Sequence, residues 1–377
     1  MAHYSITRTA MKIVLAFDSF KGCMSATEAC HAAAETILNA KPDIQVLELH
    51  LSDGGEGLVY CIQRFKETKS IHIKVHGPLM ESVDATYAIS PDGQTAYMEM
   101  ASACGLTLVP KHKRNPLIAT TYGVGEMVAD AIKRGCTTII IGLGGSATCD
   151  GGRGMIEALK VSRCHANDSK IIAVCDVKNP LYGVNGAAHV FAPQKGATAK
   201  DVIILDKRLR EFARETEAKG IATAEMAFAE GAGAAGGLGY ALLAYLKAEL
   251  RSGIDFLLDI ADFDNIIDNA NLVITGEGKS DAQTMMGKVA HGVLQHCKTK
   301  GIPVWLISGN IDDKEDILKN NFDLVSGINI GDNRPLDILI KKDIAVGNLQ
   351  KTIGKLLCER LGNEASVKDK ATEIIYH

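Results

Sequence analysis

Five short stretches follow apolar, β-branched runs, four setting glycine beside Asp, Glu, Lys, Ser or Thr and one setting Asp ahead of an amide, and each could serve chemistry on an anion. In Asp18-Ser19-Phe20-Lys21-Gly22, backbone N–H groups and a lysine ahead of a helix suit a phosphate or a carboxylate. In Asp53-Gly54-Gly55-Glu56-Gly57, two carboxylates flank glycines flexible enough to wrap a ligand or Mg²⁺. The third stretch, Gly142 to Gly152, holds five glycines between a strand pattern and a helix expected from about Met155. That order makes a phosphate cradle: Gly144 and Gly145 offer backbone, Ser146 and Thr148 offer hydroxyls, and Asp150 stands where it could hold a phosphate-bound metal. The fourth puts Asp176 just ahead of Asn179-Pro180-Leu181, and a capping Asp is its plainer reading. The fifth, Gly276-Glu277-Gly278-Lys279-Ser280-Asp281 with Gly287-Lys288 beyond it, joins two acids and two lysines in one connection, as a metal–nucleotide site needs. Solvated turns would account for the first, second and fifth equally simply.

Sharper templates fail. Gly278-Lys279-Ser280 has Val273 where a P-loop needs its first glycine, and Gly287-Lys288 is followed by Val289. A hydrolase elbow at Ser146 would need glycine where Thr148 stands. No HExxH or Cys/His ligand spacing occurs among the 11 histidines and 10 cysteines. Gly142, Gly144 and Ala147 match a dinucleotide fingerprint after a strand, as do Gly231, Gly233 and Gly236 without one. Nicotinamide-dependent oxidation of a small hydroxy acid therefore stays as an alternative, as does a non-catalytic metabolite-binding protein.

The elements that must hold these stretches alternate. Lys12 to Phe17, Ile44 to Leu49, Thr138 to Ile141, Ile171 to Val174, Leu272 to Thr275 and Val304 to Ile307 read as buried strands separated by helical patterns. Ser25 and Glu28 form a capping box for a helix to about Leu38. Ile71 to Val75, Ala85 to Ile89 and Thr95 to Met98 follow one another without helices, with turns at Gly77-Pro78 and Pro91-Asp92-Gly93. The fold class is α/β with two domains: a doubly wound, parallel-sheet, Rossmann-like or flavodoxin-like domain of 11–75 and 270–377, with a second α/β domain, 76–269, inserted into it. Residues 1–10 lack the apolar core of a secretory signal and are set aside from the fold.

Composition narrows the partners. With 377 residues, 46% hydrophobic and 23% charged, the chain reads as globular, and a net charge of −4 supplies no field for nucleic acid or an anionic membrane. The longest uncharged run, Gly231 to Leu246, contains five glycines and is too short to span a bilayer. Cysteines without a CxxC pair fit a reducing, cytoplasmic setting. A small-molecule substrate is expected, and assembly into a homo-oligomer is open.

Together the motifs resemble the bacterial glycerate kinase family, specifically the glycerate 2-kinases, from Met11 to about Arg360. The segments that carry the resemblance are FDSFKGCMSA (17–26), SDGGEG (52–57), RNPLIATTYGVGE (114–126), GLGGSATCDGG (142–152), CDVKNPLYG (175–183), FAPQKGA (191–197), GAGAAGGLG (231–239) and ITGEGKSDAQT (274–284). The resemblance implies ATP-dependent phosphorylation of D-glycerate, at the 2-hydroxyl to give 2-phosphoglycerate and ADP, with Mg²⁺. The chemistry of phosphoryl transfer then suggests roles. Gly144, Gly145, Ser146 and Thr148 would cradle phosphates, with Lys288 also on the nucleotide. Lys21 would neutralise the γ-phosphate or the glycerate carboxylate, with Asp18 and Asp53 orienting substrate. Asp176 would take the hydroxyl proton, Asp53 being the second choice, and Glu277, Asp281 and Asp150 would hold the metal. Departures from the family pattern include Cys149 in place of an amide-bearing residue and a short connection from Leu159 to Lys170.

Overall fold

A computed structural model describes residues 11–20, 22–51, 57–164 and 166–361. Its strands run, in chain order, β1 (Lys12–Phe17), β2 (Gln45–His50), β3 (Lys69–His76), β4 (Ser82–Ile89), β5 (Thr95–Glu99), β6 (Thr138–Gly142) and β7 (Lys170–Val174). They continue with β8 (Glu249–Arg251), β9 (Leu272–Gly276), β10 (Lys279–Asp281), β11 (Val304–Ser308), β12 (Asn310–Asp312) and β13 (Leu324–Gly327). The chain divides into two compact units, one made of both ends (1–52 and 262–377) and one of the middle (53–261). It contains no helix long and apolar enough to cross a membrane among the described residues.

The first unit is a parallel sheet in the order β13-β11-β9-β1-β2. Numbered by their own succession, these strands read 2-1-3-4-5, the flavodoxin-like arrangement, whose order reverses between β1 and β9. Ile13, Leu15 and Phe17 alternate into a core shared with the helices Ala26–Ala40 and Lys342–Leu361. Val14 and Ala16 are equally buried on the opposite face, and the helix Val289–Lys300 packs on β1, β9 and β11 outside that core. Burial on both faces is why β1 reads as an unbroken apolar run. The capping box forms as the sequence predicts: Glu28 N–H donates to Ser25 Oγ, and Ser25 N–H donates to Glu28 Oε2 at 2.8 Å.

The second unit is a sheet in the order β3-β4-β5-β6-β7-β8, antiparallel at its start and parallel from β5 onward. Ile139, Ile141, Ile171 and Ala173 face one core, while Ile140, Ile172 and Val174 face another with Leu58, Ile62 and Leu257. Each such fully buried aliphatic side chain contributes roughly 1.5–3 kcal/mol. The boundary differs from the sequence expectation at residue 75. Strand β3 pairs with β4 along its whole length, from Lys69 opposite Ile89 to His76 opposite Ser82, so it belongs to the middle unit. A hairpin pairs its neighbours locally, and Gly77 N–H closes this one on Glu81 O at 2.6 Å. At the far end the helix Phe263–Ile266 falls within the first unit.

Candidate active site

In the second unit the carboxyl ends of β5, β6, β7 and β8 lie along one edge, because these strands are parallel neighbours. The loops leaving that edge build a hollow of about 460 Å³ lined by Gly144, Gly145 and Ser146 after β6, by Cys175 and Asp176 after β7, and by Arg114 and Lys195. Two backbone bonds pin the glycine loop: Leu106 N–H donates to Gly145 O at 2.8 Å and Ala147 N–H to Cys104 O at 2.9 Å. Among the described residues, none accepts a hydrogen bond from the N–H groups of Gly144, Gly145 or Ser146. Three successive N–H donors bordering a cavity are of the kind an anion could take.

Asp176 Oδ1 accepts from Gly253 N–H at 2.7 Å and Ser252 Oγ at 3.2 Å, so it caps the helix Gly253–Ile260 while lining the hollow. Beside it, burial and the Asp176 charge push the Cys175 thiol up to about 11, which keeps it protonated and unreactive near neutrality. Arg114 is held by its own backbone surroundings, donating from Nε to Val109 O and from one terminal nitrogen to Leu106 O.

Lys195, which the sequence reading passed over, is only 2% exposed. Its Nζ donates to Ser146 Oγ at 2.6 Å and to Thr148 O at 2.7 Å. Burial pulls this ammonium down to about 8, partly offset by the nearby Cys149 and Asp150. The motif FAPQKGA contains it, but nothing in a one-dimensional pattern marks a lysine as buried.

The glycine run divides into two jobs. Gly144 and Gly145 border the hollow, whereas Gly152 is structural: its φ is +81° and a Cβ there would meet the Ala241 Cβ at 2.4 Å. Thr148 was expected to face phosphates. It is instead fully buried, with Oγ1 aimed at Ala235 O, because Gly236 lets a neighbouring turn approach so closely that a Cβ there would sit 2.0 Å from Thr148 O. Asp150, expected at a metal, spends its carboxylate on the protein. Oδ2 accepts from Thr121 N–H at 2.8 Å, Thr121 Oγ1 at 2.9 Å and Gly154 N–H at 3.2 Å, and Oδ1 accepts from Gly152 N–H at 3.1 Å. It thereby ties the start of the helix Arg153–Val161 to that of Tyr122–Lys133. Cys149 is buried in the core and does not line the hollow. The fingerprint at Gly142 to Ala147 lacks a helix opening on it, since the helix begins only at Arg153.

The first unit gathers a second polar group at its own sheet edge, where strand order reverses. Phe17 lies opposite Gly276, so Asp18 and Glu277 leave adjacent strands, and Asp18 N–H donates to Gly276 O at 2.9 Å. Glu277 is buried and fully engaged: Oε1 accepts from Thr284 Oγ1 at 2.6 Å and Ser280 Oγ at 3.1 Å, and Oε2 from Lys288 Nζ at 3.0 Å. Asp281 caps a short turn through Gln283 N–H at 2.9 Å and pairs with Lys279 at 3.2 Å. Burial tends to raise its carboxyl, but the Lys279 hydrogen bond, the Gln283 N–H and the Lys288 charge outweigh that and hold it below the usual range. The strand β10, paired with β12 and too short to be legible in sequence, carries Lys279 and Asp281. Lys21 and Asp53 lie outside the described residues. Farther along the chain, the N–H groups of Gly57 and Leu58 donate to Glu99 Oε1 at 2.6 and 3.0 Å at the end of β5.

A family model described as the glycerate kinase family matches residues 13–171 and 160–357. This chain belongs to the glycerate kinase family. The glycerate kinase of Bacillus subtilis (strain 168) is 42% identical over 346 residues, covering 84% of this chain and 90% of that protein. Glycerate 2-kinase of Escherichia coli (strain K12) is 41% identical over 330 residues, covering 80% and 86%. A crystal structure described as glycerate kinase 2 from Salmonella typhimurium LT2 superposes with a TM-score of 0.78 at 35% identity, over 95% of this chain and 100% of that one. The two matched segments of this glycerate kinase family member overlap at 160–171, in its short connection between the helix ending at Val161 and β7.

Proposed function

We propose that the protein transfers the γ-phosphoryl group of ATP to D-glycerate, at the 2-hydroxyl, giving 2-phosphoglycerate and ADP. The observation that carries this reading is the pairing, in one hollow, of three backbone N–H groups at Gly144–Ser146, unpartnered among the described residues, with the carboxylate-bearing Asp176. The N–H groups suit the transferring phosphoryl group, whose charge spreads over its equatorial oxygens. Asp176 supplies the carboxylate that takes the proton from the attacking hydroxyl, and its helix-capping bonds keep it in one orientation. The names of the relatives support the substrate and, for the Escherichia coli protein, the position.

Of the charged group of the first unit, we assign Lys288 to the nucleotide, Glu277 and Asp281 to its metal, and Asp18 to orienting the substrate. Among the described residues no cluster of three or more His, Cys, Asp or Glu could hold a metal by itself. Mg²⁺ carried on phosphates needs only one or two protein carboxylates, which Glu277 and Asp281 offer. Asp281 and Glu277 would hold it, Glu277 by releasing Lys288. Held there, the ion would supply positive charge to offset that of the phosphates. A coupled ADP-release assay is the test: release must require both D-glycerate and Mg²⁺, with 2-phosphoglycerate as product by NMR. Release without glycerate dependence, or nicotinamide reduction in its place, would end this reading.

A further inference from the structure

Lys195 is an ammonium buried beneath the glycine loop, and its two hydrogen bonds go to a hydroxyl and a carbonyl rather than to a carboxylate. No carboxylate among the described residues lies within ion-pair distance of it. Burying a charge without an opposite partner is strongly unfavourable. A ligand that brings the missing negative charge offsets that penalty, and Lys195 borders the hollow where one would sit.

The lining of the hollow can be matched group by group to its reactants. The N–H groups of Gly144–Ser146 face the phosphoryl group in the function proposed above. Asp176 takes the hydroxyl, because a carboxylate accepts from an O–H and repels an anion. One charged group of a hydroxy acid then has no partner, its carboxylate, and two cations lining the hollow, Lys195 and Arg114, have no carboxylate within ion-pair distance among the described residues. Arg114, held by Val109 O and Leu106 O, is the second of these cations.

We propose that Lys195 is the specificity-determining residue for the acceptor: its ammonium binds the carboxylate of the three-carbon acid, assisted by Arg114, and so selects an acid over a neutral polyol. This rests on the kinase reading given above. Burial lowers the proton affinity of Lys195, the nearby Asp150 carboxylate partly offsets this, and Arg114 and Asp176 line the same hollow. A bound carboxylate would favour the charged form.

The test uses the full chain with Lys195→Met and Lys195→Arg, measuring KM for D-glycerate and for ATP separately, together with Tm. Met keeps the length of the side chain and removes the charge, so Tm should hold or rise. The KM for glycerate should increase by about 10²-fold, the loss expected for a charge-assisted hydrogen bond, while the KM for ATP stays within about twofold. Lys195→Arg should recover part of the glycerate affinity. A rise in the KM for ATP alone, or no change in either, overturns the proposal. So does an equal rise in both with a fall in Tm, which would make Lys195 a strut for the glycine loop. Glyceramide, the neutral amide of the substrate, gives a second measurement that needs no variant to fold: the wild type should use it about 10²-fold less well than glycerate, and equal use refutes the assignment. If the wild type releases no ADP with glycerate, the kinase reading fails by itself. Calorimetric binding of D-glycerate to wild type and Lys195→Met then still decides the subsite, since equal affinity overturns it.

Discussion

Replacing Asp176 by Asn separates its proposed role as base from its helix cap, because the two depend on different properties. Capping needs an oxygen that accepts from Gly253 N–H and Ser252 Oγ, and an Asn carbonyl supplies it about as well as Asp does. Proton acceptance needs the negative charge, which Asn lacks. Loss of a general base lowers turnover by about 10²–10⁴, or roughly 2.7–5.5 kcal/mol of transition-state stabilisation at about 1.4 kcal/mol per decade. Asp176→Asn should therefore lose that rate in the ADP-release assay while its Tm moves by less than about 2 °C, since a cap-preserving change is worth only tenths of a kcal/mol. Asp176→Ala removes charge and cap together and should lose the same rate plus about 1 kcal/mol of stability, equivalent to roughly 2–4 °C in a unit of this size. Turnover within a few-fold of wild type in Asp176→Asn, with the Tm unchanged, would refute the base assignment. A rate loss in Asp176→Ala that Asp176→Asn restores would show that only the cap matters.

Two further outcomes follow from the packing. Asp150→Ala leaves the donors of Thr121, Gly152 and Gly154 without their acceptor and should lower stability by about 3 kcal/mol, read as a drop in Tm equal with and without a chelator. A chelator-dependent drop would return Asp150 to the metal. Glu28 is held down to about 2 from 4.5, first by the hydrogen bond from Lys342 and then by the Ser25 backbone. A lowered carboxyl contributes stability above its unfolded value that is lost as pH falls toward its folded one, so Glu28→Gln should flatten the stability profile between about pH 4.5 and 2. An unaltered profile would show that the exposed pair contributes nothing measurable.

Most strands could be read from the chain because burial on both faces writes itself as short, unbroken β-branched runs: Thr138 to Ile141 and Ile171 to Val174 appear in the structure extended by one residue each. The capping box at Ser25 was legible for a similar reason, being a local contact between residues three apart. Strands of three or four residues, such as β8, β10, β12 and β13, have too few positions to show a period. The extent of the middle unit was also misplaced, since pairing of β3 with β4 is a tertiary choice that residue type alone does not dictate.

Residue types and their order thus determined the kinds of chemistry available: glycine for bare N–H donors, Asp176 for a carboxylate after a strand, lysines for anions. Only the folded chain decided which of these share a space. Side-chain direction and burial depend on partners far along the chain, as when Asp150 is drawn to Thr121 and Thr148 is buried against the turn at Gly236. The same distant contacts brought Lys195 beneath Ser146, 49 positions away, and made an unremarked lysine the buried cation of the hollow.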